Sequence, residues 1–384
     1  MSSPTKSASK LVRPAALLLA TLTCGTLELA AEQLFKRWGV QQETQLGLGF
    51  DENIDGSAEA TRDDYYALAS HSVSVSRLNS LTDLVFSGNL ARTQFFSEGD
   101  SDYTDGGVAV NAVYPNDREG SAFWKADAFW NRNTRESIET GQRIQPTIYG
   151  VRASGDFLFS AKTGMTGAIL ANKVDRSNDG LDVSQTLALR GGYSGSWGVE
   201  RRWALEYGLR SLDSDSGSES TQHLLVFRGR GKLSEKLNGD FYAGVRHSEF
   251  TGLIDFEDTG PVFNADVTWT ASPLTKAKIG LRNEYGFSAN GSASKLQSLD
   301  IEYRKELGDG FRFIGYVERG IVDFELLDGE TRDDSFLRFR GALEYAFTKR
   351  FFTRLTAELY QSNSDVERFD VDRTFYNLVS GWRY

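Results

Sequence analysis

From Gln42 to Tyr384, apolar residues recur at every second position in runs of about ten, the length of a tilted transmembrane β-strand. Leu46, Leu48 and Phe50 alternate with Gly47 and Gly49, and Tyr65, Ala67, Ala69, His71, Val73 and Val75 form the next run. The same period carries Trp124, Ala126, Ala128 and Trp130, then Trp203, Leu205, Tyr207 and Leu209, then Leu337, Phe339, Leu343, Tyr345 and Phe347. Helical spacing is nowhere sustained. A strand alternates its side chains between two faces, so each run presents one greasy face and one polar face.

The connections alternate in length. Short ones fall at 78–82, 115–119, Gly155-Asp156, 195–198, 307–310 and 348–350 and are predicted as hairpin turns. Long ones, rich in Asp, Glu, Ser, Asn and Gly, fall at 51–64, 97–103, 131–143, 172–180, 212–220, 251–260, 288–296, 325–333 and 362–373. This pattern predicts an all-β fold, a single-chain transmembrane antiparallel β-barrel of about 18 strands, or 16 if two weak runs merge. Its short turns are periplasmic and its long loops extracellular. Closure is the only way a β-chain satisfies its backbone in lipid, whereas a soluble sandwich has no need of alternating hairpin lengths. Aromatics near run ends, among them Phe95, Phe96, Trp130, Trp269, Phe287, Phe351, Tyr360 and Tyr376, are expected to form interfacial girdles.

Composition narrows the function classes. The chain has 384 residues and a formal charge of −10, which argues against an electrostatic nucleic-acid binder. Its single cysteine excludes a disulfide scaffold or a cysteine-built metal site. Residues 1–31 carry Lys6, Lys10 and Arg13, a short apolar run and a small-residue exit at Ala30-Ala31, the order of a secretory signal peptide that is removed. Residues 32–41 then read as a short periplasmic segment and 42–384 as the barrel, placing the mature protein in the bacterial outer membrane.

With the apolar alternates facing lipid, the intervening residues face the lumen. They include Arg190, Arg202, Arg210, Arg228, Arg230, Arg246, Arg282, Arg304, Arg312, Arg338, Arg340 and Arg354, interleaved with acids such as Glu206, Asp240, Asp300, Glu318, Glu344 and Glu358. Two uses compete for these arginines: pairing across the ladder to stiffen the wall, and presenting guanidinium forks to carboxylate, sulfate or phosphate groups of a passing solute. Phe123, Phe129, Tyr242, Tyr316, Phe352 and Tyr360 share the inward parity, as platforms for sugar rings or as inward packing.

Other chemistry finds little support. Asp51-Glu-Asn53-Ile-Asp55-Gly56 copies the opening of a calcium loop, but Arg62 stands at the twelfth position, where a bidentate Glu is needed. His71, His223 and His247 all fall on the lipid-facing parity, and Gly-rich phosphate loops and metal-spaced His pairs are absent from the sequence. An enzyme, a metal site and a bound cofactor are not expected.

The first strand ending in Phe50-Asp51-Glu52-Asn53-Ile54, the acidic loop after it and the terminal strand closing on Trp382-Arg383-Tyr384 resemble the β-barrel porin family found with exopolysaccharide operons. The resemblance covers nearly the whole mature chain, with Glu52 where the family pattern has Asp. It implies an outer-membrane channel that exports an exopolysaccharide, similar in kind to the alginate exporters. The implied partners are lipopolysaccharide, the polysaccharide and a separate periplasmic export protein, because only about ten residues precede the first strand. A monomer is expected. Two alternatives stand beside this reading: a general or anion-preferring diffusion porin, and a plugged structural or adhesive surface barrel.

Overall fold

The computed structural model describes residues 38–384 apart from 58–60, 79–81, 116–121, 138–139, 141, 161, 198–199, 253–254, 289–291 and 326–330. The leader assigned to residues 1–31 lies outside the described residues. The strands are β1 (Gly39–Asp51), β2 (Asp64–Leu78), β3 (Asp83–Phe95), β4 (Tyr103–Tyr114), β5 (Ala122–Arg132), β6 (Arg135–Ser137), β7 (Gln142–Ile144), β8 (Thr147–Leu158), β9 (Thr163–Asp175) and β10 (Ser184–Ser196). They continue as β11 (Arg201–Ser214), β12 (Glu219–Lys232), β13 (Leu237–Thr251), β14 (Phe256–Ser272), β15 (Thr275–Phe287), β16 (Ala293–Gly308), β17 (Phe311–Glu325), β18 (Thr331–Ala346), β19 (Phe351–Ser364) and β20 (Val371–Arg383).

All but β6 and β7 belong to one 18-stranded antiparallel sheet, closed by pairing of β1 with β20 from Glu43↔Arg383 to Asp51↔Phe375. The expected barrel and its larger strand count are therefore observed. β1 begins three residues before Gln42, and the seam is completed by Gln42 and Tyr384, whose amides and carbonyls bond each other at 3.0 and 2.9 Å. An even strand count puts both ends of the sheet on the short-turn, periplasmic side.

The alternation sorts as a membrane wall requires. Leu187, Leu189, Leu205, Tyr207, Leu225, Val245, Ile279, Leu281, Leu299, Phe339, Leu343 and Leu355 are exposed on the outer face, while the intervening residues point inward. Phe96, Trp130, Trp269, Phe351 and Tyr376 are also exposed, consistent with girdles. Phe95, Phe287 and Tyr360 are not girdle residues: they are 4%, 8% and 4% exposed and pack inside the barrel.

Several expected boundaries shift. Gly155 and Asp156 are not a turn but lie within β8, because Asp156 is needed as an inward carboxylate rather than as a turn former. The connections expected at 212–220 and 251–260 shrink to 215–218 and 252–255, since β11 to β14 keep pairing through those stretches. The loop expected at 172–180 runs instead from 176 to 183.

Candidate functional site

The twelve arginines assigned to the lumen all take the inward parity, and among the described residues every one except Arg210 has a carboxylate at ion-pair distance. Arg190 meets Glu206 at 2.8 Å, Arg228 meets Asp240 at 2.7 Å, and Asp156 receives both Arg202, at 3.2 Å, and Arg230. Arg246 pairs with Asp258, Arg282 with Asp300, Arg304 with Glu302 at 3.6 Å, and Arg338 with Glu318 and Glu358, each at 3.5 Å. Arg340 also takes Glu358, and Arg312 takes Glu306 at 2.6 Å. Glu344, 2% exposed, gathers Arg312, Arg354 and Arg383 at 3.1, 2.6 and 3.0 Å. Cross-strand pairing thus accounts for nearly all of these side chains, and a paired guanidinium still holds spare donors.

Two elements fold into the lumen. The first is the connection between β5 and β8, which carries the β6–β7 hairpin. It is anchored by Arg143, whose amide donates to Asp55 O at 2.8 Å and whose Nη2 donates to Asp51 at 2.8 Å. Gln145 Nε2 fixes the far side, donating to Thr104 O at 2.9 Å and to Asp105 at 3.2 Å.

This anchoring gives the Phe50-Asp51-Glu52-Asn53-Ile54 sequence its physical role. Asp51, 1% exposed, also receives Arg373 of the last strand. Asn53 Nδ2 donates to Ser57 O and Asp372 O, each at 2.9 Å. Ile54, 1% exposed, packs with Tyr66 and Phe95. The calcium-like residues are therefore engaged otherwise: Asp51 by two arginines, and Asp55 by Arg62, whose guanidinium pKa the Asp55 hydrogen bond raises above the ordinary arginine range.

The second inward element is the extracellular end of the β15–β16 hairpin. The β14–β15 ladder runs only from Ser272↔Thr275 to Asn264↔Arg282, so β14 from Phe256 to Phe263 pairs with β13 alone. Pro261, which has no N–H to donate, sits in that one-sided stretch, where an edge tolerates it. Beyond Arg282, β15 pairs only with β16 and turns inward to lie against β11 and β13. Asn283, Tyr285 and Phe287 continue the outward parity of Ile279 and Leu281, yet they face the inner wall, and Asn283 is 0% exposed. Phe287 packs with Leu212 and Phe250, its ring edge-on to Phe250 at 6.2 Å.

Two cavities lie beside these elements and share Arg210, Glu284 and Tyr285. One, of about 530 Å³, is lined by seven arginines, Arg152, Arg190, Arg202, Arg210, Arg228, Arg230 and Arg246, and by three carboxylates, Asp156, Glu206 and Glu284. The other, of about 830 Å³, lies under the 133–137 segment and is lined by Arg135, Arg210, Arg338, Arg340 and Arg373 with Glu284, Glu318 and Glu358. Each lining holds more arginines than carboxylates, but Asp127, Asp240 and Asp258 pair with Arg152, Arg228 and Arg246 of the first and Asp51 with Arg373 of the second, so the positive excess is small in both. At their junction Arg210 Nη1 donates to the Tyr285 carbonyl at 2.8 Å.

Among the inward aromatics, Phe123, Phe352 and Tyr360 are 6%, 1% and 4% exposed, so they pack rather than offer stacking faces. Arg383 lies over Phe352 at 3.8 Å and Arg338 over Tyr360 at 5.1 Å. His71, His223 and His247 sit on the outward parity, bonded to Thr44, Tyr207 and Thr259 at 2.9, 2.6 and 2.8 Å. Sequence reasoning missed Arg143, Arg152, Asp156, Arg373 and Arg383. The last two lie inward because the parity flips in β20, where the exposed residues are Tyr376 and Leu378.

The structure is similar to several solved outer-membrane proteins. Pseudomonas aeruginosa OpdL is 11% identical, with 91% of this chain and 99% of that chain covered and a TM-score of 0.47. Pseudomonas aeruginosa OccK5 (OpdH) is 12% identical over 91% and 98% of the two chains, TM-score 0.43. Acinetobacter baumannii OccAB1 is 12% identical over 90% and 96%, TM-score 0.43. No curated protein matches the chain. The family model described as "Putative beta-barrel porin 2" matches residues 153–379, more than half of the sequence. With that match and the closed 18-stranded wall, the chain belongs to this β-barrel porin family and is a porin-like barrel of the bacterial outer membrane.

Proposed function

We propose that the barrel is an anion-preferring channel that passes small anionic solutes without catalysis. The observation that carries this reading is the lining of the 530 Å³ cavity, where arginines outnumber carboxylates and Arg210, among the described residues, has no carboxylate at ion-pair distance. A net-positive constriction concentrates anions and raises the barrier to cations. The inward loop and hairpin leave room for a solute of modest size rather than a wide water-filled bore. Reversal potentials of the refolded protein in planar bilayers under a KCl gradient test the reading. Anion selectivity that weakens as salt screens the arginines is expected, and cation selectivity overturns it.

Export of an anionic exopolysaccharide is the second reading. It is favoured by the run of inward arginines from Arg202 and Arg230 near the periplasmic turns to Arg373 near the extracellular loops, a ladder along which a polyanion has a guanidinium within reach at each step. Block of the current by charged oligosaccharides, and not by neutral ones of equal length, supports it. Free passage of small anions with no oligosaccharide block removes it.

A further inference from the structure

Tyr285 caps two guanidinium groups at once. Its carbonyl accepts Arg210 Nη1 at 2.8 Å, and its ring lies under Arg246, which reaches past it to Asp258. Among the described residues, Arg210 is the one lumen arginine of the twelve whose hydrogen bond goes to a neutral acceptor rather than a carboxylate. Arg246 is 1% exposed, and its Nε and Nη1 have no hydrogen-bond partner among the described residues.

The rest of the hairpin's seat is also poorly bonded. Both polar atoms of Asn283 are buried and without a partner among the described residues, as are Gln222 Nε2 and Ser248 Oγ on the wall beneath. Buried polar groups left unbonded give up hydration without replacing it, so this seat holds the hairpin weakly compared with a dry apolar interface.

From this geometry we infer that Arg210 and Arg246 form an oxyanion subsite, taking a carboxylate or sulfate group, and that its occupant displaces the β15–β16 hairpin from the wall. A carboxylate or sulfate accepts bonds from both guanidiniums with charge on donor and acceptor alike, whereas the Tyr285 carbonyl accepts a single bond and carries no formal charge. The solute therefore competes with Tyr285 for the same donors and opens its own path between the two cavities. Glu284, exposed beside Arg210, repels the anion once the hairpin has lifted and favours its departure. The subsite rests on the anion-channel reading above and names the group it recognises.

The test reads the hairpin separately from the current. The refolded full chain carrying Cys24→Ser and Asn283→Cys presents one thiol in the closed seat, and its rate of modification by a membrane-impermeant thiol reagent reports lifting. Glucuronate or sulfate should accelerate modification roughly tenfold, glucose should not, and the faster of the two anions identifies the preferred group. Arg210→Ala should abolish the acceleration while heat-modifiable migration shows an intact barrel; Arg210→Lys, which keeps the charge and loses the fork, serves if the smaller residue does not fold. Equal rates with and without oxyanion, or acceleration by glucose as well, overturn the subsite. Reversal potentials on the same preparations show independently whether the channel is anion-selective, so a failure of the subsite is distinguishable from a failure of the channel reading.

Discussion

Arg373 on the last strand donates Nε and Nη2 to the two oxygens of Asp51 on the first strand, at 2.9 and 2.6 Å. The same carboxylate receives Arg143 from the lumen loop, so one buried acid joins the closing seam of the wall to the element that narrows the pore. At the other end of that seam Arg383 bonds Glu43 at 2.6 Å. The seam is thus fastened by arginine–carboxylate pairs at both rims.

Asp51→Asn should leave two arginines facing a neutral amide. Breaking a buried pair by removing one partner costs about 3–5 kcal/mol. Urea unfolding of the lipid-embedded barrel, followed by tryptophan fluorescence, should show a loss of that order, and the released loop should add flicker to single-channel currents. A change of less than about 0.5 kcal/mol would refute the assignment.

Replacing Arg338 and Arg340 together by Ser removes two cations and frees Glu318 and Glu358, which they hold. Reversal potentials should move toward cation selectivity with assembly retained. Loss of heat-modifiable folding would instead identify the pair as wall struts.

Leu343 stands 43% exposed on the outer face of β18. Leu343→Arg should destabilise the barrel by about 2–4 kcal/mol if it lies near the bilayer midplane. A variant as stable as the parent would mean that this position does not face lipid.

Phe287→Ala removes the ring that the hairpin seats against Leu212 and Phe250. Truncation of a buried Phe costs about 3–5 kcal/mol in a closed core, here concentrated in one docking contact. The barrel should stay folded while mean conductance rises without added oxyanion. Unchanged conductance would show that the hairpin does not restrict the current.

The wall was legible because a strand's side-chain period of two survives tilt and twist, and a one-residue slip would turn Leu343 inward and Arg340 outward together. The lumen arginines follow from the same parity. Asp156 was hidden because Gly-Asp is also turn chemistry, and only the position of Arg202 and Arg230 across the lumen reveals its use. Inward folding of β15 left one trace: Asn283 stands where Ile279 and Leu281 predict an apolar residue. Arg143 left none, since its partner Asp51 is 92 residues away in sequence.

The mutual amide bonds of Gln42 and Tyr384 also bear on the kinetics of assembly. Every other wall strand pairs with a sequence neighbour or across one local connection, whereas this seam joins the two most distant strands. Its loop-closure entropy cannot be recovered until the remaining strands have formed, because long-range contacts are rewarded only after their entropic cost is met. Closure is accordingly expected last, with β1 and β20 presenting open edges ready to pair with other chains until then. The arginine–carboxylate fasteners at the two rims act at that step, slowing reopening more than they speed the approach.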